Sequence, residues 1–220
     1  TGGGRVAHGA MQTLEQLNIK QVSPGEFLNE TFNEPVVARI DPWHYVKRKD
    51  GSEFNLQHFF NYPSEYESTF KPYTKVTDLF ITAHFWHPES PVFITRKDMQ
   101  EEDFRMKVIA DASCDIKGPI ASTVRASTIA SPFYDYNPAT GKEEKPFSSE
   151  RHVTVMAVDN LPGELPRDAS ENFARMLIDN VIPNLIGEDT GGMITRGTIA
   201  KNGRLTPAYA YLQDYANGRE

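Results

Sequence analysis

Apolar residues Val6, Ala7, Ala10, Met11, Leu14 and Leu17 recur at three- and four-residue steps, which predicts an amphipathic helix near the start of the chain. The period then changes. Residues 18–23 read as a short strand ended by Pro24-Gly25, and residues 35–40 as another. Residues 78–86 form a near-continuous apolar run rich in aromatic and β-branched side chains, the signature of a buried strand. Residues 107–113 and 153–158 repeat that character. Between them lie Ser/Thr-rich strands and a polar loop from Asn137 to Lys142, read as a hairpin tip. Thr95 and Asp98 have the spacing of a capping box opening a short helix.

Asp168 or Ser170 is predicted to cap a long helix. Phe173, Met176, Leu177, Val181 and Leu185 share one of its faces, and Gly187 stops it. Asn202-Gly203 signals a hairpin, and Thr206-Pro207 opens a final helix. Residues 34–78 fit no regular period. Their aromatic residues (Phe54, Phe59, Phe60, Tyr62, Tyr66, Phe70 and Tyr73) point to a packed satellite layer inserted between elements. The expected fold is α/β: a Rossmann-like, doubly wound, mainly parallel sheet with an insertion and C-terminal helices.

Composition narrows the functional classes. The 220 residues can bury a sizeable core, and no apolar run approaches the ~20 residues of a membrane span. A net charge of -7 argues against a nucleic-acid surface, which needs a basic stripe. The single cysteine, Cys114, excludes an internal disulfide and suits a reducing cytoplasm. His84 and His87 stand as an H-x-x-H pair without a matching second pair, so structural roles are expected and no metal site is assigned.

The candidate chemistry begins at Gly2, Gly4 and Ala7, which spell the G-x-G-x-x-A form of a dinucleotide-binding turn directly ahead of the first helix. Small residues there let a pyrophosphate approach the backbone, and the opening N–H groups of the helix point at that anion. A strand should precede such a turn, so the chain reads as the C-terminal part of a longer protein. Glu26 follows the strand whose tip lies beside the adenosine ribose. It is either a ribose ligand or a solvated loop residue. Arg39 would instead pair with a 2′-phosphate. Two strand ends carry ligand-like clusters, Ser113-Cys114-Asp115 and Asp159-Asn160. Cys114 is either a nucleophile lacking an identified base or a structural thiol, and Asp115 either a substrate contact or a loop cap.

Four blocks in one order carry a family resemblance. They are Gly4-Arg5 with Gly9-Ala10; residues 79–81 leading to Phe85-Trp86 and Pro91; residues 111–115 with Gly118, Ile120, residues 127–129 and Pro132-Phe133; and residues 158–170. Together they resemble the C-terminal half of saccharopine dehydrogenase and the related lysine–ketoglutarate reductases, whose relatives include alanine dehydrogenase and the nucleotide domain of transhydrogenase. The resemblance implies a nicotinamide-dependent oxidoreductase that joins or splits lysine and 2-oxoglutarate through saccharopine, with NAD or NADP as cofactor. It implies Gly4 and Arg5 at the pyrophosphate, where the glycine turn already puts Gly2, and Glu26 near the ribose. Phe85, Ala112, Val158, Asp159, Asn160 and Leu161 would line the cofactor cleft, and Ser113, Cys114 and Asp115 the substrate edge. The family's acid–base lysine and histidine lie upstream of the glycine turn, so no catalytic residue is assigned in this chain.

The domain reading follows: residues 1–162 form a nucleotide-binding domain lacking its first strand. Residues 163–220 form a helical segment that packs on it and toward an N-terminal substrate domain. The partners expected are small amino and oxo acids, with neither nucleic acid nor membrane. Two alternatives stay open, an alanine- or opine-type dehydrogenase and a non-catalytic NAD(P)-binding regulatory module.

Overall fold

The first helix, α1 (Arg5–Gln16), opens at Gly4, whose backbone is extended and whose position offers no side-chain cap. Its end is set by Asn18, which adopts a left-handed φ of 57°. Strand β1 (Lys20–Gln21) follows and is shorter than the sequence pattern suggests. The computed structural model describes residues 1–219. They fall into two compact units, Thr1–Leu161 and the chain from Pro162 onward.

One expectation is corrected at the end of β1. Pro24-Gly25 does not turn the chain; it begins helix α2 (Pro24–Asn29). Ser23 and Glu26 close a reciprocal capping box there, the Glu26 N–H donating to Ser23 Oγ at 3.2 Å and the Ser23 N–H to Glu26 Oε2 at 2.7 Å. Strand β2 (Val36–Val37) then pairs parallel with β1.

The aromatic segment contains an antiparallel hairpin, β3 (Val46–Arg48) with β4 (Tyr66–Ser68). Phe59, Tyr66, Phe70 and Tyr73 are buried, whereas Phe60 and Tyr62 face solvent. The Phe70 ring stacks on Phe93 at 5.3 Å and tilts against Phe80 at 4.9 Å, so the layer joins the main core. Such ring pairs add roughly 0.5–1.5 kcal/mol each beyond the area they bury.

The main sheet has five strands: β5 (Leu79–Thr82), β6 (Val108–Asp111), β7 (Phe133–Asn137), β8 (Lys142–Glu144) and β9 (Val153–Met156). Their order is β5-β6-β9-β7-β8, with β5, β6 and β9 parallel and β7 and β8 antiparallel to their neighbours. This is the mixed, mostly parallel α/β architecture expected from the apolar runs. The run at 78–86 nonetheless ends as a strand at Thr82, where the pairing with β6 stops at Asp111. Ala83 onward is loop, and Phe85 is 80% exposed. Thr95 and Asp98 make the reciprocal bonds of their box, followed by a helical turn at Asp98–Gln100.

From Pro162 onward, the long helix begins earlier than its expected cap, at Pro166, and Asp168 lies in its first turn. Pro166–Met176 passes through a widened turn, Leu177–Val181, into Ile182–Ile186. Pro183 lacks the N–H that would continue the regular ladder, which accounts for the widening. Asn202 and Gly203, both at positive φ, turn the Ala200–Lys201 and Arg204–Leu205 hairpin.

Candidate functional site

The three parallel strands deliver their carboxyl ends to one edge, and the first residues of the chain arrive at the same edge. Gly2 is buried with φ +97°, and a Cβ there would stand 2.2 Å from the Ala83 carbonyl oxygen just past β5. Only glycine fits both constraints. At Gly4, by contrast, an added Cβ would meet nothing within 4 Å. The first turn of α1 has no acidic residue and no side-chain cap. A helix start with neither feature is the arrangement an anion exploits. Arg5 is exposed at that start.

Hydrogen bonds tie the three post-strand loops together. Thr1 Oγ1 lies 2.6 Å from His84 Nδ1, and the Ser113 hydroxyl donates to the His84 carbonyl at 2.9 Å. The Cys114 thiol donates to the Ala157 carbonyl at 3.2 Å, linking the β6 loop to the β9 loop. Ser127 completes the edge by exchanging hydrogen bonds with Ala157, its N–H donating at 2.8 Å and its Oγ accepting at 3.0 Å. Gly2, Ser113, Cys114 and Ala157 thus share one edge, and Val158–Leu161 leaves from it.

Asp111 organises that edge, and the reading of the sequence passed over it. It is 2% exposed and accepts from the hydroxyls of Thr82 and Thr123, each at 2.5 Å, and from the Cys114 N–H at 3.0 Å. The Thr82 hydroxyl in turn accepts the Ser113 N–H at 3.2 Å. The signal was present as an acid at the end of the apolar run Val108-Ile109-Ala110. A buried carboxylate there requires several donors. The loop-capping role considered for Asp115 belongs to Asp111. Asp115 closes its own turn only through its backbone carbonyl, which accepts the Gly118 N–H at 2.9 Å.

The titrating groups respond to this packing. Burial pushes the Asp115 carboxyl up from its ordinary value, with the neighbouring Asp111 adding to the shift. Burial likewise raises the Cys114 thiol, reinforced by Asp111, Asp159 and Asp115. A thiol held protonated and donating to a carbonyl is a poor nucleophile. Burial also lowers His84 to about 3, aided by the adjacent Thr1 ammonium. His84 is therefore a neutral, packed ring, 4.5 Å from Phe93.

The remaining candidates are more scattered. Glu26 is exposed in the first turn of α2, and hydrogen bonds from Ser23 hold it below the usual carboxylate range. Arg39 pairs with Asp41 at 3.1 Å. Ala112 is half-buried, Val158 is buried, and Asp159 and Asn160 are exposed. A cavity of about 490 Å³ lies between β2 and β5. Among the described residues no cluster of three or more His, Cys, Asp or Glu could hold a metal ion, and no helix is long and apolar enough to cross a membrane.

Comparison with known proteins bears out the resemblance. The whole chain aligns at 26% identity with the mouse protein named alpha-aminoadipic semialdehyde synthase, mitochondrial, covering 27% of that protein. An Arabidopsis thaliana alpha-aminoadipic semialdehyde synthase is 29% identical over 76% of the chain and 16% of its own length. A Neurospora crassa saccharopine dehydrogenase [NAD(+), L-lysine-forming] is 28% identical over 50% of the chain and 29% of its own length. The chain therefore spans about a quarter of the length of the first of these relatives. No family model matches it.

Proposed function

We propose, from the full-length likeness to alpha-aminoadipic semialdehyde synthases, that this chain is the NAD(P)-binding part of a saccharopine-type oxidoreductase. The parent protein would interconvert saccharopine with lysine and 2-oxoglutarate. The observation that carries this reading is the carboxyl edge itself. There, an obligatory glycine at position 2 feeds an uncapped helix, and loops bearing Ser113, Cys114 and Ala157 meet beside it.

The residues present fit a dinucleotide. Gly4 leaves open space where a side chain would stand, and the first-turn N–H groups of α1 lie behind it. Gly2, Gly4 and Arg5 would hold the pyrophosphate. Phe85, Ala112 and the segment Val158, Asp159, Asn160 and Leu161 would border the nicotinamide half. A nicotinamide bound there supplies or accepts the hydride. Ser113, Cys114 and Asp115 form the substrate edge. The Ser113 hydroxyl and Cys114 thiol are occupied by carbonyls and position that loop, whereas Asp115 makes no side-chain hydrogen bond among the described residues and would meet an ammonium group. None of these residues is assigned acid–base chemistry.

Cofactor choice rests on two side chains. Glu26 would repel a 2′-phosphate, while Arg39 would attract one if it left Asp41. Titrating NAD and NADP against the wild-type chain, Glu26→Ala and Arg39→Ala tests both placements. A change of preference in neither variant removes both residues from the site. The lone thiol favours a cytoplasmic location, whereas the mammalian relatives carry a mitochondrial name. Fractionation of source cells decides between the two.

A further inference from the structure

A backbone nitrogen can attack the side chain of the asparagine or aspartate before it when it belongs to glycine, which carries no Cβ to hinder the approach. The chain holds three such pairs, Asp50-Gly51, Asn202-Gly203 and Asn217-Gly218. All six residues are exposed, so solvent access does not separate them. Hydrogen bonding does. The Gly51 N–H donates to the Arg48 carbonyl at 3.3 Å, while the Asp50 carboxylate accepts the Ser52 N–H at 2.9 Å and pairs with Arg48 at 2.7 Å. The Gly218 N–H donates to the Tyr215 carbonyl at 3.0 Å, and the Asn217 side chain accepts from Gln213 at 3.2 Å. In both pairs the attacking nitrogen and the group it would attack are each held.

Asn202-Gly203 has neither restraint. Among the described residues the Gly203 N–H donates to no acceptor and the Asn202 side chain bonds to nothing. The pair turns a hairpin whose strands, Ala200–Lys201 and Arg204–Leu205, have two residues each and no buried position. A hairpin that short is marginal, so its tip opens readily to conformations that bring the Gly203 nitrogen to the Asn202 Cγ. The base is clamped where the Thr206 N–H donates to the Ile199 carbonyl at 2.9 Å and the Thr206 hydroxyl to the Thr198 carbonyl at 2.7 Å. Opening is thereby confined to the tip. The register also sets Lys201 directly opposite Arg204. Two like charges so placed repel each other, and both favour an anion that forms at the tip.

We propose that Asn202 is a modification site, a side chain that undergoes backbone-assisted deamidation and that the fold selects over Asp50 and Asn217. The Gly203 nitrogen bonds to the Asn202 Cγ, the Cγ–Nδ2 bond breaks, and the Gly203 amide proton leaves with the side-chain nitrogen as ammonia. Water then opens the resulting succinimide at either carbonyl, and nothing is oxidised or reduced. One opening gives aspartate. The other routes the chain through the side-chain carboxyl, giving isoaspartate and one extra backbone carbon that a two-residue turn does not accommodate. Both leave a carboxylate beside Lys201 and Arg204 in place of a neutral amide. The site is independent of the nucleotide reading above.

The test incubates the 220-residue chain in heavy-oxygen water at neutral pH, with and without a denaturing concentration of urea. Peptide mass mapping follows all three pairs. Isoaspartate is counted separately by methyl transfer from S-adenosylmethionine with an isoaspartyl methyltransferase. In the folded chain Asn202 should convert about fivefold or more faster than Asn217, the factor supplied by one hydrogen bond kept on the attacking N–H. Asn202 should also take up one heavy oxygen and yield isoaspartate, while Asp50 isomerises more slowly than Asn202 converts. In urea the two asparagines should convert at similar rates, because neither keeps its native hydrogen bonds. Equal or faster conversion at Asn217 in the folded chain, or no conversion at Asn202, overturns the proposal. So does a preference for Asn202 that persists in urea, since the fold would then not be what selects it. Conversion of Asn202 without isoaspartate overturns it as well, because direct hydrolysis gives aspartate alone.

Discussion

Replacing Asp111 with alanine tests whether one buried carboxylate holds the candidate site together. The substitution removes three accepted hydrogen bonds, from Thr82 Oγ1, Thr123 Oγ1 and the Cys114 N–H. Hydrogen bonds to a charged group contribute about 1.5–3 kcal/mol each, but they are not additive and the two hydroxyls can rotate to other acceptors. The Cys114 N–H cannot rotate. Its φ of 51° is a strained conformation that the Asp111 bond helps to hold. The expected loss is ~3–5 kcal/mol, a large part of the ~5–15 kcal/mol that stabilises a typical domain. At ~2–4 °C per kcal/mol for a unit of this size, Tm should fall by roughly 6–20 °C.

Both tryptophans, Trp43 and Trp86, lie within Thr1–Leu161, so their fluorescence reports this unit directly. Asp111→Asn keeps one acceptor oxygen and offers the Thr123 hydroxyl a donor instead, so its loss should be ~1–2 kcal/mol. Asp115→Asn, which removes no side-chain hydrogen bond, should cost less than either. If Asp111→Ala unfolds within about 1 kcal/mol of wild type, the network does not organise the edge and the argument for Asp111 fails.

Gly4→Val should leave Tm nearly unchanged, because its Cβ meets nothing and φ is -86°. It should weaken NAD(P) binding by about tenfold or more by keeping the pyrophosphate off the α1 amides; unchanged affinity in calorimetry would place the nucleotide elsewhere. Gly2→Ala should instead destabilise by well over 1 kcal/mol, since both φ +97° and the Ala83 carbonyl exclude a side chain, and chemical denaturation measures it. His84 should make the chain acid-sensitive. Its folded value, about 3, lies below the unfolded value near 6.5, so stability is present above 6.5 and is lost as pH falls toward 3, by on the order of a few kcal/mol. His84→Phe should flatten that slope, and an unaltered slope would assign the effect to other groups. Asp115 has the opposite sign: its raised folded value costs stability as pH rises through it. Asp115→Asn should therefore gain on wild type between acid and neutral pH. If the parent protein has the activity proposed above, the same variant should raise KM for the amine while sparing kcat.

Local chemistry was legible in the linear chain wherever the deciding contacts span only a few residues. The α1 stripe, the Thr95–Asp98 box and the Asn202-Gly203 turn all form as their patterns require, because each is settled by bonds between near neighbours. The apolar runs likewise announced β5, β6 and β9 and hence the parallel sheet. Pro24-Gly25 misled because the same dipeptide can close a turn or open a helix, and the Ser23–Glu26 bonds decide for the helix. Strand ends were not legible either: β5 stops at Thr82 because its partner stops at Asp111, a fact held 29 residues away. The difference between Asp111 and Asp115 is the sharpest case. Four residues apart and chemically identical, they separate only when folding brings Thr82 and Thr123 to one and no side-chain donor among the described residues to the other. A sequence states which side chains can accept a hydrogen bond, and only the tertiary structure supplies the distant donors.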